Sequence, residues 1–405
     1  MDTWDSRSTA AARAVTHLYG QRLWALPGTY LGAIVRPWRL SPEWHYWWQA
    51  HFVDCLVDAG YRELATGVRF DGDDHPSAGK LASRLVTTMR LRNALRFTNS
   101  YYDDMAWLAL SVGRLDALAE AAKKVGRRSG RLRNARAMAR LQDSLTSAVT
   151  PDLGGGVFWN TARDFKNTPA TAPVALIAAR RGDVAVASEL LAWLDAKVYD
   201  AESGLYLDGV KIRDGAEVLE PSVWTYNQGP VLGALLELAK VAGGSGGSGD
   251  SGGTGGSGSS GGTGDTGGSA YVARAASLVR AVDRELVVSG PGGRRSLKTH
   301  GSGDGGLFTG ILVRYLALAA RSAELRAADA EACDIARRLV LDTASALWDG
   351  AQEARLKVSL FTAREGLIFP NEPFKSSAEC YPGAKRIDLS TQLQAWMCFE
   401  AAATL

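Results

Sequence analysis

Thr98-Asn99-Ser100-Tyr101-Tyr102-Asp103-Asp104-Met105-Ala106-Trp107 opens an apolar stretch whose spacing predicts a helix over 102–124. Working outward, the same 3.6-type pattern of Ala, Leu and Val recurs between short glycine turns. It predicts helices near 6–19, 43–59, 78–95, 131–148, 169–180, 184–196, 225–241, 270–287, 306–324, 328–347 and 389–404. Strand signals are sparse, with short hairpin arms expected only at 204–212 and 363–368. About twelve helices is the number needed for six helical hairpins in a toroid. The expected fold is therefore all-α, an (α/α)6 barrel. At 405 residues the chain is long for one domain, but closed barrels run long, so a single domain spanning 1–405 is expected.

The opening stretch also carries chemistry. Asp103 and Asp104 are consecutive at a helix start, so their side chains diverge by about 100° and can flank one bound bond at roughly 5 Å. That gap suits a retaining glycosidase, with carboxyls about 5–5.5 Å apart, while an inverting pair needs about 6.5–9.5 Å to admit a water. Should a water separate the acids, the partner carboxyl is expected elsewhere, at Asp208 or Asp304. The surrounding rings fit the same reading, because pyranoses present C–H faces that stack on Tyr and Trp. The competing reading is a helix start capped by Ser100, with two acids favoured by the helix dipole.

Composition excludes several classes. The chain is 46% hydrophobic and 22% charged, values of a globular protein, and no apolar run is long enough to span a bilayer. A net charge of +3 is too small to argue for nucleic acid, and the Arg-rich run 127–140 reads as a solvated helix face. Cys55, Cys333, Cys380 and Cys398 are scattered and expected to be reduced, and the five histidines form no metal-type pair. Asp71, Asp73 and Asp74 lack the later Glu of a calcium loop, and the glycines at 154–156 and 301–306 lack the Lys-Ser/Thr of a phosphate loop. Neither a metal nor an organic cofactor is expected.

Several segments together resemble glycoside hydrolase family 76, the retaining endo-α-1,6-mannanases. They are Trp47-Trp48-Gln49-Ala50-His51, the Tyr-Tyr-Asp-Asp-Met-Ala-Trp core, Gly154 to Trp159, Lys166-Asn167-Thr168, Gly204 to Gly209, Trp224-Thr225-Tyr226-Asn227-Gln228-Gly229 and Gly306 to Ile311. By this resemblance Asp103 corresponds to the nucleophile and Asp104 to the general acid/base. Trp44, Trp48, Asn99, Asn167, Asp208, Trp224 and Asn227 fall at helix starts or in the loops before them, where a barrel lines its cleft. With His51, Tyr101, Tyr102, Trp107, Trp159, Lys166, Tyr226 and Gln228 they are the expected substrate-binding set. The implied partner is α-1,6-linked mannan or a manno-oligosaccharide, bound by a monomer. Exo-acting mannosidase or transglycosylase activity, a silent mannan-binding protein and an aspartate-rich cyclase are the alternatives; the cyclase would need a second acidic motif.

The stretch 243–269 is nearly pure Gly, Ser and Thr, and is expected to be a flexible surface loop within the barrel. The N-terminus lacks a positive region followed by an apolar one, which predicts a cytoplasmic protein, or a secreted one if a leader precedes this sequence.

Overall fold

The computed structural model describes residues 3–39, 44–126, 131–244 and 266–405. Among them lie fourteen helices: α1 Trp4–Tyr19, α2 Tyr46–Thr66, α3 Ala78–Arg92, α4 Tyr102–Lys124, α5 Arg131–Ala148, α6 Thr168–Arg180, α7 Val184–Lys197, α8 Thr225–Gly244, α9 Thr266–Glu285, α10 Gly305–Arg321, α11 Ala323–Ala328, α12 Ala330–Asp349, α13 Ser377–Cys380 and α14 Leu389–Ala402. Twelve coincide with the expected helices, most to within a few residues at each end, although α2 runs seven residues beyond the expected end at 59; α11 and α13 are short additions. Of the Gly/Ser loop expected at 243–269, residues 245–265 lie outside the described residues, and α8 and α9 run into its two ends, so that 243–244 and 266–269 are helical.

Helices α2, α4, α6, α8, α10 and α14 form a closed inner ring, each packed on the next and α14 returning to α2. Outside it, α1 covers α14 and α2, α3 covers α2 and α4, α5 backs α4, α7 spans α6 and α8, α9 spans α8 and α12, and α12 covers α10 and α14. This is an (α/α)6 barrel. Inner helices are buried all round, which is why α14 reads as an unbroken run of buried residues from Leu389 to Ala402. No helix of the described residues is long and apolar enough to cross a membrane.

Strands are more numerous than expected, but each is short. The hairpin 209–213/216–220 adds 165–167 as a third strand, and 352–357 pairs with 363–368. Two-residue and three-residue pairs such as 35–36 with 387–388 and 287–289 with 295–297 escaped the pattern, because alternation needs at least four residues to be visible.

Three inner-helix glutamines tie buried backbone outside the helices, at Gly32, Tyr206 and Phe369, to the ring by one repeated device. Gln49 accepts from Gly32 N at 2.8 Å and donates to Gly32 O at 2.9 Å. Gln228 treats Tyr206 the same way, at 2.9 and 2.8 Å, and Gln392 treats Phe369 so, at 2.9 Å in both directions. A side-chain amide thus replaces the strand neighbour that these buried backbone groups lack, and leaves neither orphaned.

Candidate active site

All six inner helices begin at the same end of the barrel, and a cavity of about 770 Å³ opens there. Its lining includes Trp44 and Trp47 at the α2 start, Asn99 and Tyr101 before α4, Asp103, Asp104 and Trp107 on α4, Trp159, Asn167 before α6, Asp208, Tyr226 on α8, Asp304 before α10, and Phe308 on α10. Its floor is aromatic. Tyr226 and Phe308 stack at 4.0 Å and 10°, with Trp47 tilted 6.2 Å from Phe308 and Trp107 6.3 Å from Tyr226.

Asp103 and Asp104 occupy the first turn of α4, and their partners differ. Asp103 Oδ2 accepts from Trp159 Nε1 at 2.9 Å, and its Oδ1 accepts from the Asp104 backbone N–H at 2.9 Å. Asp104 Oδ2 accepts from Asn99 Nδ2 at 2.6 Å. Asn99 is itself fixed, because its Oδ1 accepts from Tyr101 N at 3.0 Å. The cap expected of Ser100 does not form: the capping residue is Tyr101, without a side-chain bond, and Asn99 supplies the local turn instead.

Trp159 is delivered by the strand-like segment 157–167, which folds over the α4 start. Tyr102 N donates to Trp159 O at 2.8 Å, Trp159 N to Phe165 O at 2.8 Å, and Tyr101 meets the Trp159 ring edge-on at 5.1 Å. Below it Lys166, fully buried, donates from Nζ to the carbonyls of Thr150, Asp152 and Gly155 at 2.6–2.8 Å and to Thr150 Oγ1 at 2.9 Å. Gly156, at φ +75°, lies flat against Trp193, where a Cβ would come within 2.5 Å of the ring.

Burial raises the pKa of both carboxyls, and the neighbouring charge of Asp104 adds to the effect on Asp103. Asp104 is raised to about 7 by burial, opposed by the Asn99 bond and reinforced by the charge of Asp304. Groups this close titrate as a pair, so the location of the shared proton follows from the donors. Asp103 receives two N–H bonds and Asp104 one, an inequality that favours the charged form more at Asp103 than at Asp104. Across the floor, Asp208 is pushed up to about 6 by burial, while Asn227 Nδ2 donates to its Oδ1 at 3.2 Å. Asn167 caps α6 by accepting from Ala170 N at 3.2 Å, and its backbone pairs with Gly209, which sets Asp208 beside it. Lys211 lies over the Phe165 ring and pairs with Glu220 at 2.5 Å.

Of the expected substrate-binding residues, Trp44, Asn99, Tyr101, Trp107, Trp159, Asn167, Asp208 and Tyr226 line the cavity with the acid pair. Others stand behind it. Lys166 holds the 150–156 turn, and Gln228 holds Tyr206; both are occupied by backbone groups and face away from the cavity. Tyr102 is buried in the core, Asn227 reaches the site only through Asp208, and Trp224 backs Phe308 edge-on at 5.6 Å. His51 lies beneath the floor between Trp47 and Trp107, at 5.5 and 5.1 Å, and burial lowers its basicity to about 3. Trp48 is buried and reaches the cavity by its N–H, donating to Asp304 Oδ1 at 2.8 Å. Trp47, Phe308, Lys211 and Phe165 line the cavity but were absent from the expected set, as was Asp304, foreseen only as a fallback partner acid. Trp47 sat in a motif already singled out, and Asp304 directly precedes the late glycine segment. Among the described residues no group of His, Cys, Asp and Glu is arranged to hold a metal ion.

The model of glycosyl hydrolase family 76 matches residues 3–246, more than half of the chain. The chain belongs to glycosyl hydrolase family 76. Solved family 76 enzymes share the architecture of this barrel. The GH76A α-1,6-mannanase of Salegentibacter sp. superposes with a TM-score of 0.73 at 24% identity, covering 99% of both chains. An inactive variant of it, with two adjacent aspartates replaced by asparagine, was solved with α-1,6-mannotriose and matches at 23% identity, TM-score 0.73, again over 99% of both chains. Dfg5 from Chaetomium thermophilum, solved with glucosamine, is 15% identical with a TM-score of 0.66, covering 99% of this chain and 90% of that one. No functionally curated protein matches the chain.

Proposed function

We propose that this glycoside hydrolase is an endo-acting α-1,6-mannanase that works with retention. The observation that carries the reading is the consecutive pair Asp103 and Asp104, unequally hydrogen-bonded above an aromatic floor. Asp103, as carboxylate, attacks the anomeric carbon of the bound mannosyl unit. Trp159 Nε1 and the Asp104 N–H hold its two oxygens in place and keep it charged. Asp104 gives its proton to the glycosidic oxygen as the bond breaks; with Oδ2 held by Asn99, Oδ1 is the oxygen free to carry that proton. In the second half Asp104, now a carboxylate, takes a proton from water, and that water displaces Asp103 from the sugar. An endo mode is supported by the volume of about 770 Å³, in the upper part of the usual range of about 300–1,000 Å³ for small-molecule sites. Such a volume takes more than one ring. The link to α-1,6-mannan rests on family membership and on the mannotriose-bound relative.

Digestion of linear α-1,6-mannan, followed by proton NMR of the nascent reducing ends and by sizing of products, tests each part. The α-anomer must appear first, since two inversions restore the original hand. A β-anomer at the outset would place a water between nucleophile and sugar and remove Asp103 from its role. Monosaccharide as the sole early product would make the enzyme exo-acting.

A further inference from the structure

The inner ring order α2, α4, α6, α8, α10, α14 puts α10 directly opposite α4, so the wall facing the acid pair begins at Asp304. That residue is the N-terminal cap of α10, yet its carboxylate makes no capping bond to its own helix. It turns into the cleft, where Trp47 Nε1 and Trp48 Nε1 both donate to Oδ1, at 2.9 and 2.8 Å. Oδ2 receives no hydrogen bond or ion pair from the described residues, although Asp304 lines the cavity. A solvent-exposed carboxylate needs no such fixing for stability, because water solvates it freely; two indole donors on one oxygen hold the other in a single direction. Trp47 belongs to the aromatic floor and donates to Asp304 from its ring edge, so the carboxylate stands beside that ring. No cation pairs with Asp304 among the described residues, and the one lysine of the lining, Lys211, is taken by Glu220.

We propose that Asp304 is a specificity-determining residue, its Oδ2 accepting hydrogen bonds from the hydroxyls of the sugar seated on the Trp47 side of the cleft, opposite the catalytic pair. The role rests on the reading given under the proposed function and deepens it. It makes the cleft a clasp: α4 supplies the reacting carboxyls, α2 the stacking ring, and α10 a pinned acceptor that recognises neutral, hydroxyl-bearing rings and repels anionic ones.

The test is calorimetric binding of α-1,6-mannotriose to the Asp103→Asn/Asp104→Asn protein with and without Asp304→Asn. Asparagine keeps an acceptor for the two indoles but loses the charge, so affinity should fall roughly 10- to 100-fold, the worth of one hydrogen bond to a charged acceptor. The melting temperature should stay within a few degrees. Trp47→Phe, which removes one of the two pins but keeps a stacking ring, should weaken binding by less than Asp304→Asn. Affinity within twofold of the parent after Asp304→Asn overturns the inference. So does a lowered melting temperature with unchanged affinity, which would make Asp304 only an acceptor for the Trp48 indole. If the parent binds no mannotriose but binds another oligosaccharide, the proposed substrate fails and this role with it; a parent that binds mannotriose unaffected by Asp304 sinks the role alone.

Discussion

Replacing Asp104 with Asn should stabilise the protein in a pH-dependent way while abolishing turnover. Asp104 is raised from 3.8 to about 7, chiefly by burial. A carboxyl whose folded value lies above its unfolded one adds stability that is fully present below about pH 4. That stability is lost as pH rises to about 7, because the unfolded chain gives up its proton first. At 1.36 kcal/mol per unit the full shift would be about 4 kcal/mol. The carboxyl lines an open cleft and its residue is only partly buried, so solvent screening brings this to roughly 1–2 kcal/mol. Asparagine keeps the acceptor for Asn99 and does not titrate. With an unfolding entropy of about 2.1 cal/mol/K per residue, the variant should melt about 1–2 °C above wild type at pH 8, and level with it at pH 4. Differential scanning calorimetry across that range reads the gap directly. An equal gap at both pH values, or a variant less stable at pH 8, would refute the claim that Asp104 is held protonated at the expense of the fold.

Asp103→Asn and Asp104→Asn should each lower turnover on α-1,6-mannan at least about 100-fold with unchanged circular dichroism; a tenth of wild-type rate in either removes that residue from its role. Gly156→Ala places a methyl against the Trp193 ring at a φ of +75°, and should cost about 3 kcal/mol and depress activity by displacing the segment that carries Trp159; an unchanged melting curve would contradict it. Arg114→Met leaves the carboxylates of buried Asp54 and half-buried Asp58 with Arg314 as their remaining cation among the described residues. Chemical denaturation should show a loss of about 3 kcal/mol, and a loss under about 1 would mean the cluster is already hydrated.

The twelve principal helices were legible because an inner helix of a barrel is buried on every side and an outer one on a single face, so both leave a strong periodic or continuous apolar record. The acid pair was legible for a different reason: two ionisable residues side by side among aromatics have few structural uses. What the sequence concealed was the division of labour inside a recognised segment. Trp224, Tyr226, Asn227 and Gln228 are all expected to touch substrate, yet Tyr226 lines the floor, Trp224 backs Phe308, Asn227 acts through Asp208, and Gln228 is spent on the backbone of Tyr206. Lys166 illustrates the same limit, since a buried ammonium gathering carbonyls has the same letter as one reaching for a hydroxyl. Asp304 was hidden because its partners, Trp47 and Trp48, lie more than 250 positions away, and only the closed ring brings them together.

The reading of Asp103 and Asp104 as acids drawn to a helix start by its dipole can be weighed against the geometry. Interaction with the N-terminal end of α4 is worth about 0.3–1 kcal/mol per carboxylate and favours the charged form. Raising Asp104 from 3.8 to about 7 is equivalent to about 4 kcal/mol in the opposite direction before screening, and roughly 1–2 kcal/mol after it. Burial and like charge therefore outweigh the dipole. A helix start selected for stability would carry one exposed acid, bonded to its own N–H groups. Here the two acids are partly buried in the cleft and turned toward Trp159 and Asn99. Asp208, raised to about 6 on the far side of the same floor, is a third carboxyl held above its usual range. A protein that gathers carboxyls where charging them is unfavourable retains a proton at neutral pH, which is the condition for protonating a glycosidic oxygen.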